Sequence, residues 1–330
     1  MCLGERAALF NTLNRRPTEV RPMQGTTELG ANTRVPLVDS ALNFLLWRTF
    51  FPSTWAAIHR RELDDIVHQV SPDLPPLRSS RRCVITVHDN PTVSLESDLY
   101  SLSPQVRLIV RHNLKSYQRY DLTIVQSRYV EQGLSDFGYE GVVKVVPPAT
   151  NPAFRPLGRN KRELRQILGL PAEKRLILSI STMAKRKNLV AAVQTLDYLP
   201  DSFRLVRIGP PIKQAINLPP ADDERLNAVF NACDVLLMPS IEEGFGAPVA
   251  EAFAAGLPVV ASDIPSIREV AQDSAALMDP KDPQGFAKLV SQAVSSPESW
   301  IERGFHRAKA FSINAVAPQL RAAYRVLPRL

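Results

Sequence analysis

Short apolar runs alternate with helix-like repeats along most of this chain. In the first half, runs at 65–68, 82–90, 121–127 and 142–150 predict strands. Residues 42–67 and 104–120 have helical spacing, and Ser127 is the expected N-cap of a helix that extends to Phe137. Strands that are apolar at nearly every position, with helices between them, are typical of parallel sheets covered on both faces.

The alternation lapses at 151–159, NPAFRPLGR, and then restarts. The later apolar runs predict strands at 175–181, 203–209, 234–240, 257–262 and 275–280. The helical repeats predict helices at 188–199, 223–231, 283–296 and 297–327, and two more that begin at 247 and 265. The predicted fold is α/β, with two doubly wound, Rossmann-like domains and a cleft between them. In such sheets ligands bind beyond the carboxyl ends of the strands.

These patterns predict four regions. Residues 1–40 form a poorly defined segment, 41–155 one Rossmann-like domain, 156–312 a second, and 313–330 a C-terminal helix that could return to the first domain.

Composition narrows the class of partner. The chain has 330 residues, 45% of them hydrophobic, and a net charge of +7 that is spread along its length. A mild positive balance suits anionic small molecules or an anionic membrane surface, whereas nucleic-acid binding would call for a dense basic stripe. No nucleic-acid partner is therefore expected.

Cysteine usage indicates a reducing compartment. Cys2, Cys83 and Cys233 are widely spaced, and the last two lie in or beside apolar runs, so buried free thiols are expected. The longest apolar run, at 41–51, is interrupted by Arg48 and is too short to span a membrane. We expect a cytoplasmic protein, with peripheral contact to the cytoplasmic face of a membrane, through Trp47, Phe50 and Phe51, as a second option.

The stretch 239–251, PSIEEGFGAPVAE, carries the strongest candidate chemistry. It predicts a strand end, a tight Gly-Phe-Gly turn and a helix N-terminus, which together direct backbone N–H groups and a positive dipole end toward an anion. A second loop, 182–188, places three consecutive cations at the end of the strand before it. Arginine and lysine opposite backbone N–H groups suit a diphosphate, although an isolated Lys-Arg-Lys run is more often a solvated surface.

The pieces STMAKRKNL, EEGFGAPVAEA, AAGLPVVASDIPSIREV and FSINAVAPQLRAAYRVL resemble the donor-binding domain of retaining glycosyltransferases of family four, which have the GT-B fold. VITVHDN and DLTIVQSRYVEQGL resemble the acceptor-side domain of that family. The resemblance covers residues 41–330. It implies a glycosyltransferase that uses an NDP-sugar, GDP- or UDP-linked, as its donor substrate, with no cofactor and no metal; the chain contains no Asp-x-Asp motif.

The resemblance also implies residue roles. Arg186 and Lys187 hold the diphosphate, Glu243 contacts the donor sugar, Glu251 binds the ribose, and His88 faces the sugar across the cleft. The remaining donor-binding positions that it implies are Thr182, Gly244, Phe245, Gly246, Ala247 and Pro248. A packing role for His88 stays open, and His68 could be structural or functional.

The chain departs from the family pattern at several places. No strand running into a Gly-rich loop is visible in 1–40, and a strand–helix unit is expected to be missing between 210 and 234. Ser181 stands where the family commonly has glycine, and Pro148-Ala149-Thr150 replaces a usual Asn-Gly-Val/Ile.

Two functions are therefore expected. The first is a retaining, metal-independent transferase, with mannose favoured, acting on a saccharide or lipid-linked saccharide acceptor in polysaccharide biosynthesis. The second is a catalytically weakened sugar-nucleotide-binding module or assembly partner. A Rossmann dehydrogenase is disfavoured because no strand leads into a G-x-G-x-x-G loop.

Overall fold

The computed structural model describes residues 66–69, 82–96 and 117–327, together with helical positions 104, 107, 108, 111, 112 and 115. The predictions for residues 1–65, which include the apolar run at 41–51, Cys2 and the helix from Leu42, lie outside the described residues. Within those residues no helix is long and apolar enough to cross a membrane.

The first sheet has four described strands, all parallel, in the order β1-β2-β3-β4. They are β1 (Ile66–Gln69), β2 (Arg82–Val87), β3 (Leu122–Val125) and β4 (Val143–Val145), with helices α1 (Pro91–Glu96) after β2 and α2 (Arg128–Asp136) after β3. The predicted N-cap is confirmed, since the Ser127 hydroxyl accepts a hydrogen bond from the backbone N–H of Val130 at 3.2 Å.

The second sheet has six parallel strands. They are β5 (Arg175–Ile180), β6 (Phe203–Ile208), β7 (Ala215–Leu218), β8 (Val235–Met238), β9 (Val259–Ser262) and β10 (Ala276–Met278). The helices are α3 (Lys161–Leu168), α4 (Leu189–Leu196), α5 (Asp223–Ala232), α6 (Ala247–Ala255), α7 (Pro265–Ala271), α8 (Pro283–Ser295), α9 (Glu298–Ala308) and α10 (Ile313–Tyr324).

The strand order β10-β9-β8-β5-β6-β7 determines where a ligand can sit. The chain builds outward from β5 through β6 to β7, then returns to start again at β8 on the other side of β5. The loops after β5 and β8 therefore leave neighbouring strands and diverge, which opens a crevice at the carboxyl edge of the sheet. These are the two loops that carry the candidate chemistry.

Two sequence predictions were wrong. A strand–helix unit was expected to be missing between 210 and 234, yet β7 lies there and pairs with β6; only a helix between β6 and β7 is absent from this described segment. The single helix predicted over 297–327 is in fact α9, a 3-10 turn at Lys309–Phe311 and α10. The break occurs because Ser312 is extended and caps α10 through its hydroxyl, which accepts from Ala315 N.

Both sheets are covered on both faces, as the uniformly apolar strands predicted. Cys83 and Cys233 are buried free thiols in these cores, and burial raises the pKa of Cys233 to about 12. Helix α10 covers one face of the first sheet, where Val316 and Ala323 pack with Leu122 and Ile124.

Over the described residues the chain thus crosses between the two sheets twice. The first crossing follows β4, and the second runs from the 3-10 turn into α10. The two crossings are joined to each other, because the backbone N–H of Thr150 donates to the carbonyl of Phe311 at 2.8 Å.

The two sheets have a second contact, at the N-terminus of α2. The fully buried Ser127 hydroxyl donates to the Gly244 carbonyl at 2.6 Å, while the Glu269 carboxylate accepts from the backbone N–H of Arg128 at 2.9 and 3.1 Å. The Glu269 carboxylate, from the part of the chain that forms the second sheet, thereby satisfies a free N–H at the N-terminus of α2 and interacts favourably with the dipole of that helix.

His68 ties α10 to the first sheet. Its Nδ1 lies 2.6 Å from the Tyr324 hydroxyl and its Nε2 lies 2.8 Å from the Thr86 hydroxyl. Desolvation, with a smaller contribution from the nearby His88, lowers the pKa of His68 to about 4. The structure therefore gives His68 a packing role.

Gly244 has no room for a side chain, because an added methyl group would overlap the carbonyl oxygen of His88. We expect Gly244→Ala to separate the two sheets at this contact, to lose the Ser127 bond and to destabilise the protein by about 1–3 kcal/mol. Small-angle scattering should show an increased radius of gyration.

Gly138→Ala is the control, since it has a positive φ of 79° but open space around an added methyl group. It should lower the free energy of unfolding without changing the radius of gyration. An unchanged radius in Gly244→Ala would contradict the close approach described above.

The lowered pKa of His68 predicts a pH-dependent stability. Between about pH 6.5 and 4 the unfolded chain binds a proton at His68 that the folded protein does not, so stability falls as pH falls through this window. Between pH 7.5 and 4.5 the loss should be about 2.5 kcal/mol. Denaturant unfolding should show that His68→Gln removes this component, whereas His306→Gln, at an exposed position, should retain it; equal slopes in both variants would contradict the prediction.

Candidate functional site

The Glu243 carboxylate is the centre of the candidate site. It is buried, and it accepts from Lys187 Nζ at 2.6 and 2.7 Å, from Arg186 Nη1 at 3.2 Å and from the Ser240 hydroxyl at 2.7 Å. Only 17% of the Arg186 side chain and 14% of the Lys187 side chain are exposed. Two cations from the loop after β5 thus meet one anion from the loop after β8.

Asn188 fixes the geometry of the cation loop. The Lys185–Lys187 turn ends at Asn188, which has a left-handed backbone with φ 50°. Its side-chain amide donates to the carbonyl of Pro239 at 2.9 Å and to that of Pro280 at 2.8 Å. The backbone N–H of Ile241 also donates to the Arg186 carbonyl at 2.7 Å. The two loops are therefore joined by backbone contacts as well as by charge.

The start of the same loop is held from β6. Arg207 is fully buried, and its guanidinium donates to the hydroxyl of Ser181 at 3.1 Å and also to the Ser181 carbonyl. Burial lowers the pKa of Arg207. Ser181, which replaces a common family glycine, therefore provides an acceptor for this internal arginine.

The Gly-Phe-Gly turn leads directly into α6. Gly246 precedes the helix with φ 92°, and no side chain caps the helix N-terminus. An added methyl group at Gly246 would collide with Ile267. Pro248 has no N–H and the N–H of Val249 donates to the Gly246 carbonyl at 2.9 Å, so the helix dipole and the Ala247 N–H are what the first turn can offer an anion.

Residues of the first sheet close the other side of the site. His88 and Asp89 follow β2, and Asp89 lies 3.8 Å from Arg186. Gln126, just after β3, contacts the His88 ring at 2.6 Å. Burial and, to a lesser extent, the charge of Glu242 raise the pKa of Tyr129 to about 12, so the Tyr129 phenol lies near a carboxylate of the other sheet.

The residues proposed from sequence occupy different parts of this site. Arg186, Lys187 and Glu243 are in direct contact, and His88 lies against the backbone of Gly244. Ala247 and Pro248 open α6, Glu251 is buried one turn further along it, and Thr182 is exposed at the start of the cation loop. The buried Phe245 ring instead packs edge-on against Phe311, with their centroids 5.3 Å apart, and anchors the turn.

Sequence reasoning missed several members of the site, namely Asp89, Gln126, Tyr129, Asn188 and Glu269. Asp89 and Asn188 lie within motifs that were recognised, VITVHDN and STMAKRKNL, but were given no role. The contact of Gln126 with His88 depends on the pairing of β2 with β3, whereas those of Tyr129 and Glu269 depend on how the two sheets meet. Among the described residues no group of three or more His, Cys, Asp and Glu could hold a metal ion.

Residues 160–307 match the family model of glycosyl transferases group 1. O-antigen chain mannosyltransferase B of Escherichia coli is 31% identical over 174 residues, which cover 46% of this chain and 45% of that protein. The chain spans about half the length of the curated relatives it matches.

Solved structures share the architecture. Sucrose-phosphate synthase from Thermosynechococcus elongatus superposes with a TM-score of 0.73 at 21% identity, covering 88% of this chain and 81% of that one. HepE of Anabaena in complex with UDP-glucose gives a TM-score of 0.65 at 17% identity, covering 75% and 73% of the two chains. The two parallel sheets therefore have the GT-B fold, and residues 160–307 are similar to the glycosyl transferases group 1 family.

Proposed function

We propose that the chain is a retaining, metal-independent glycosyltransferase that moves a sugar, with mannose favoured, from an NDP-sugar to a saccharide or lipid-linked saccharide. The observation that carries the proposal is the contact of Arg186 and Lys187 with Glu243 beside the open N-terminus of α6. Two cations and a helix dipole converge where a diphosphate would need them.

The sugar–phosphate bond breaks with its electron pair passing to the diphosphate. Arg186, Lys187 and the N-terminal dipole of α6 stabilise this added charge more in the transition state than in the bound donor. They supply the positive charge that a metal ion provides in other transferases. The acceptor hydroxyl attacks the same face of the sugar, and its proton passes to the departing phosphate oxygen.

The Glu243 carboxylate keeps the two cations in place before the donor arrives. When a diphosphate binds Arg186 and Lys187, its negative charge partly replaces that of Glu243 as their partner. Glu243 can then accept hydrogen bonds from hydroxyl groups of the donor sugar. Glu251, deeper in α6, is the proposed ribose contact.

The donor and acceptor assignments have separate support. One relative is named for mannosyl transfer in O-antigen chains and one structural neighbour holds UDP-glucose, which supports a nucleotide-sugar donor and a saccharide acceptor. Buried free thiols support a reducing, cytoplasmic location, and attachment to the cytoplasmic face of a membrane would bring a lipid-linked acceptor within reach.

A panel of GDP- and UDP-linked sugars should identify the donor by thermal stabilisation. A ligand at 100 times its dissociation constant adds about 2.7 kcal/mol to the free energy of unfolding. We expect one nucleotide class to raise the melting temperature, with a GDP-linked mannose the strongest. The absence of any shift across the panel would contradict the donor site, and a shift without any sugar transfer would favour a binding module over an enzyme.

Lys187→Ala tests the leaving-group role. Because it removes a preorganised cation from the diphosphate site, kcat should fall about 10²–10³-fold in a transfer assay. Lys185→Ala is the matched control, since Lys185 is an exposed cation in the same turn. Equal rates in the two variants would contradict the proposed role of Lys187.

A further inference from the structure

The amide of Gln126 makes a specific contact with His88. The Nε2 atom of Gln126 lies 2.6 Å from Nδ1 of the imidazole ring. With the amide in this orientation its nitrogen donates and cannot accept, which makes Nδ1 the unprotonated acceptor. The single proton of the neutral ring then resides on Nε2.

We propose that Gln126 is a positioning residue that holds His88 as its Nε2–H tautomer, so that the ring presents a hydrogen-bond donor on the side away from Gln126. The inference rests on the proposed function, in which His88 faces the donor sugar. Sugar hydroxyl and phosphate oxygens both accept hydrogen bonds, and a ring with Nε2 unprotonated could not donate to either.

Gln126 is well placed to impose this state, because its backbone is fixed on both sides. The preceding residue, Val125, is fully buried, and its carbonyl accepts from Val146 N at 2.8 Å. The following residue, Ser127, is also fully buried and links the cap of α2 to the Gly244 carbonyl. The starting point of the Gln126 side chain is therefore fixed relative to His88.

The Gln126 side chain lies where the two sheets approach each other. Gln126 lines a cavity of about 200 Å³ together with Phe245, Glu269, Arg307 and Gln319. The Arg307 guanidinium is held by the carbonyls of Val270 and Glu269 at 2.7 and 2.9 Å. The Glu269 carboxylate is held by the Arg128 N–H. Both charged groups beside Gln126 therefore have fixed partners.

Gln126→Glu tests the tautomer directly, because a carboxylate can only accept. The near-isosteric change should move the ring proton to Nδ1 without removing the contact. Gln126→Asn is a second variant, whose shorter side chain should release the ring to a mixture of tautomers. Gln319→Glu is the matched control, since it adds the same charge to the wall of the same cavity while Gln319 bonds only to the Ala315 carbonyl.

The primary measurement is nitrogen-15 NMR of histidine-labelled protein at a pH where imidazoles are neutral. The His88 signals are identified by their loss in His88→Asn, which separates them from those of the other four histidines. Wild type and Gln319→Glu should show the Nε2–H tautomer, and Gln126→Glu the Nδ1–H tautomer. An Nδ1–H or evenly mixed ring in wild type, or an unchanged ring in Gln126→Glu, would overturn the proposal.

The second measurement is kcat/KM for sugar transfer. Losing a hydrogen bond to a charged or developing-charge group predicts a roughly ten- to hundredfold decrease in Gln126→Glu, with Gln319→Glu near wild type. A reversed tautomer with unchanged kcat/KM would overturn the catalytic part of the inference. If the wild-type protein transfers no sugar from any donor, the proposed function fails, and the NMR result still decides whether Gln126 sets the tautomer.

Discussion

A buried carboxylate needs compensating cations or hydrogen bonds, and Glu243 obtains its two cations from a different strand end. Desolvating a charge costs several kcal/mol, so removing either side of such a cluster leaves an uncompensated charge. These ion pairs therefore hold together two loops, those after β5 and β8, that leave neighbouring strands in different directions. The crevice at the carboxyl edge of the second sheet is preorganised by this cluster, with the Asn188 amide adding a neutral bond between the same loops.

Most of the second sheet and half of the site could be predicted from sequence for local reasons. Apolar runs such as 175–181 and 234–240 have strand length, and the Gly-Phe-Gly turn before Pro248 announces a helix N-terminus. The strand β7 was missed because the segment around it is rich in proline and has little apolar periodicity; as an edge strand it needs to bury only part of its surface. The helical periodicity over 297–327 misses the break before α10 because Ser312 lies within a continuous helical pattern, although the predicted region boundary falls at 312/313.

The other half of the site depends on how the two sheets meet, and nothing local encodes that. Gln126 meets His88 through the pairing of β2 with β3 inside the first sheet, but it meets Phe245 and Glu269 around one cavity only because the second sheet approaches. Glu269 is an ordinary helical acid until α2 presents the Arg128 N–H. Ser127 was recognised as a cap, but its second role, donating to Gly244, requires residues 117 positions apart to touch. Such contacts become visible only in three dimensions.

The double crossing between the sheets has a mechanical consequence. A single connecting segment would allow one body to twist and bend about the other in any direction. Here two segments run side by side, joined by the bond from Thr150 to Phe311, and the second is anchored by α10 packing on the first sheet. A pair of parallel tethers resists torsion but yields to bending about the line that joins them. The two joined segments therefore restrain rotation of one sheet against the other more strongly than bending between them.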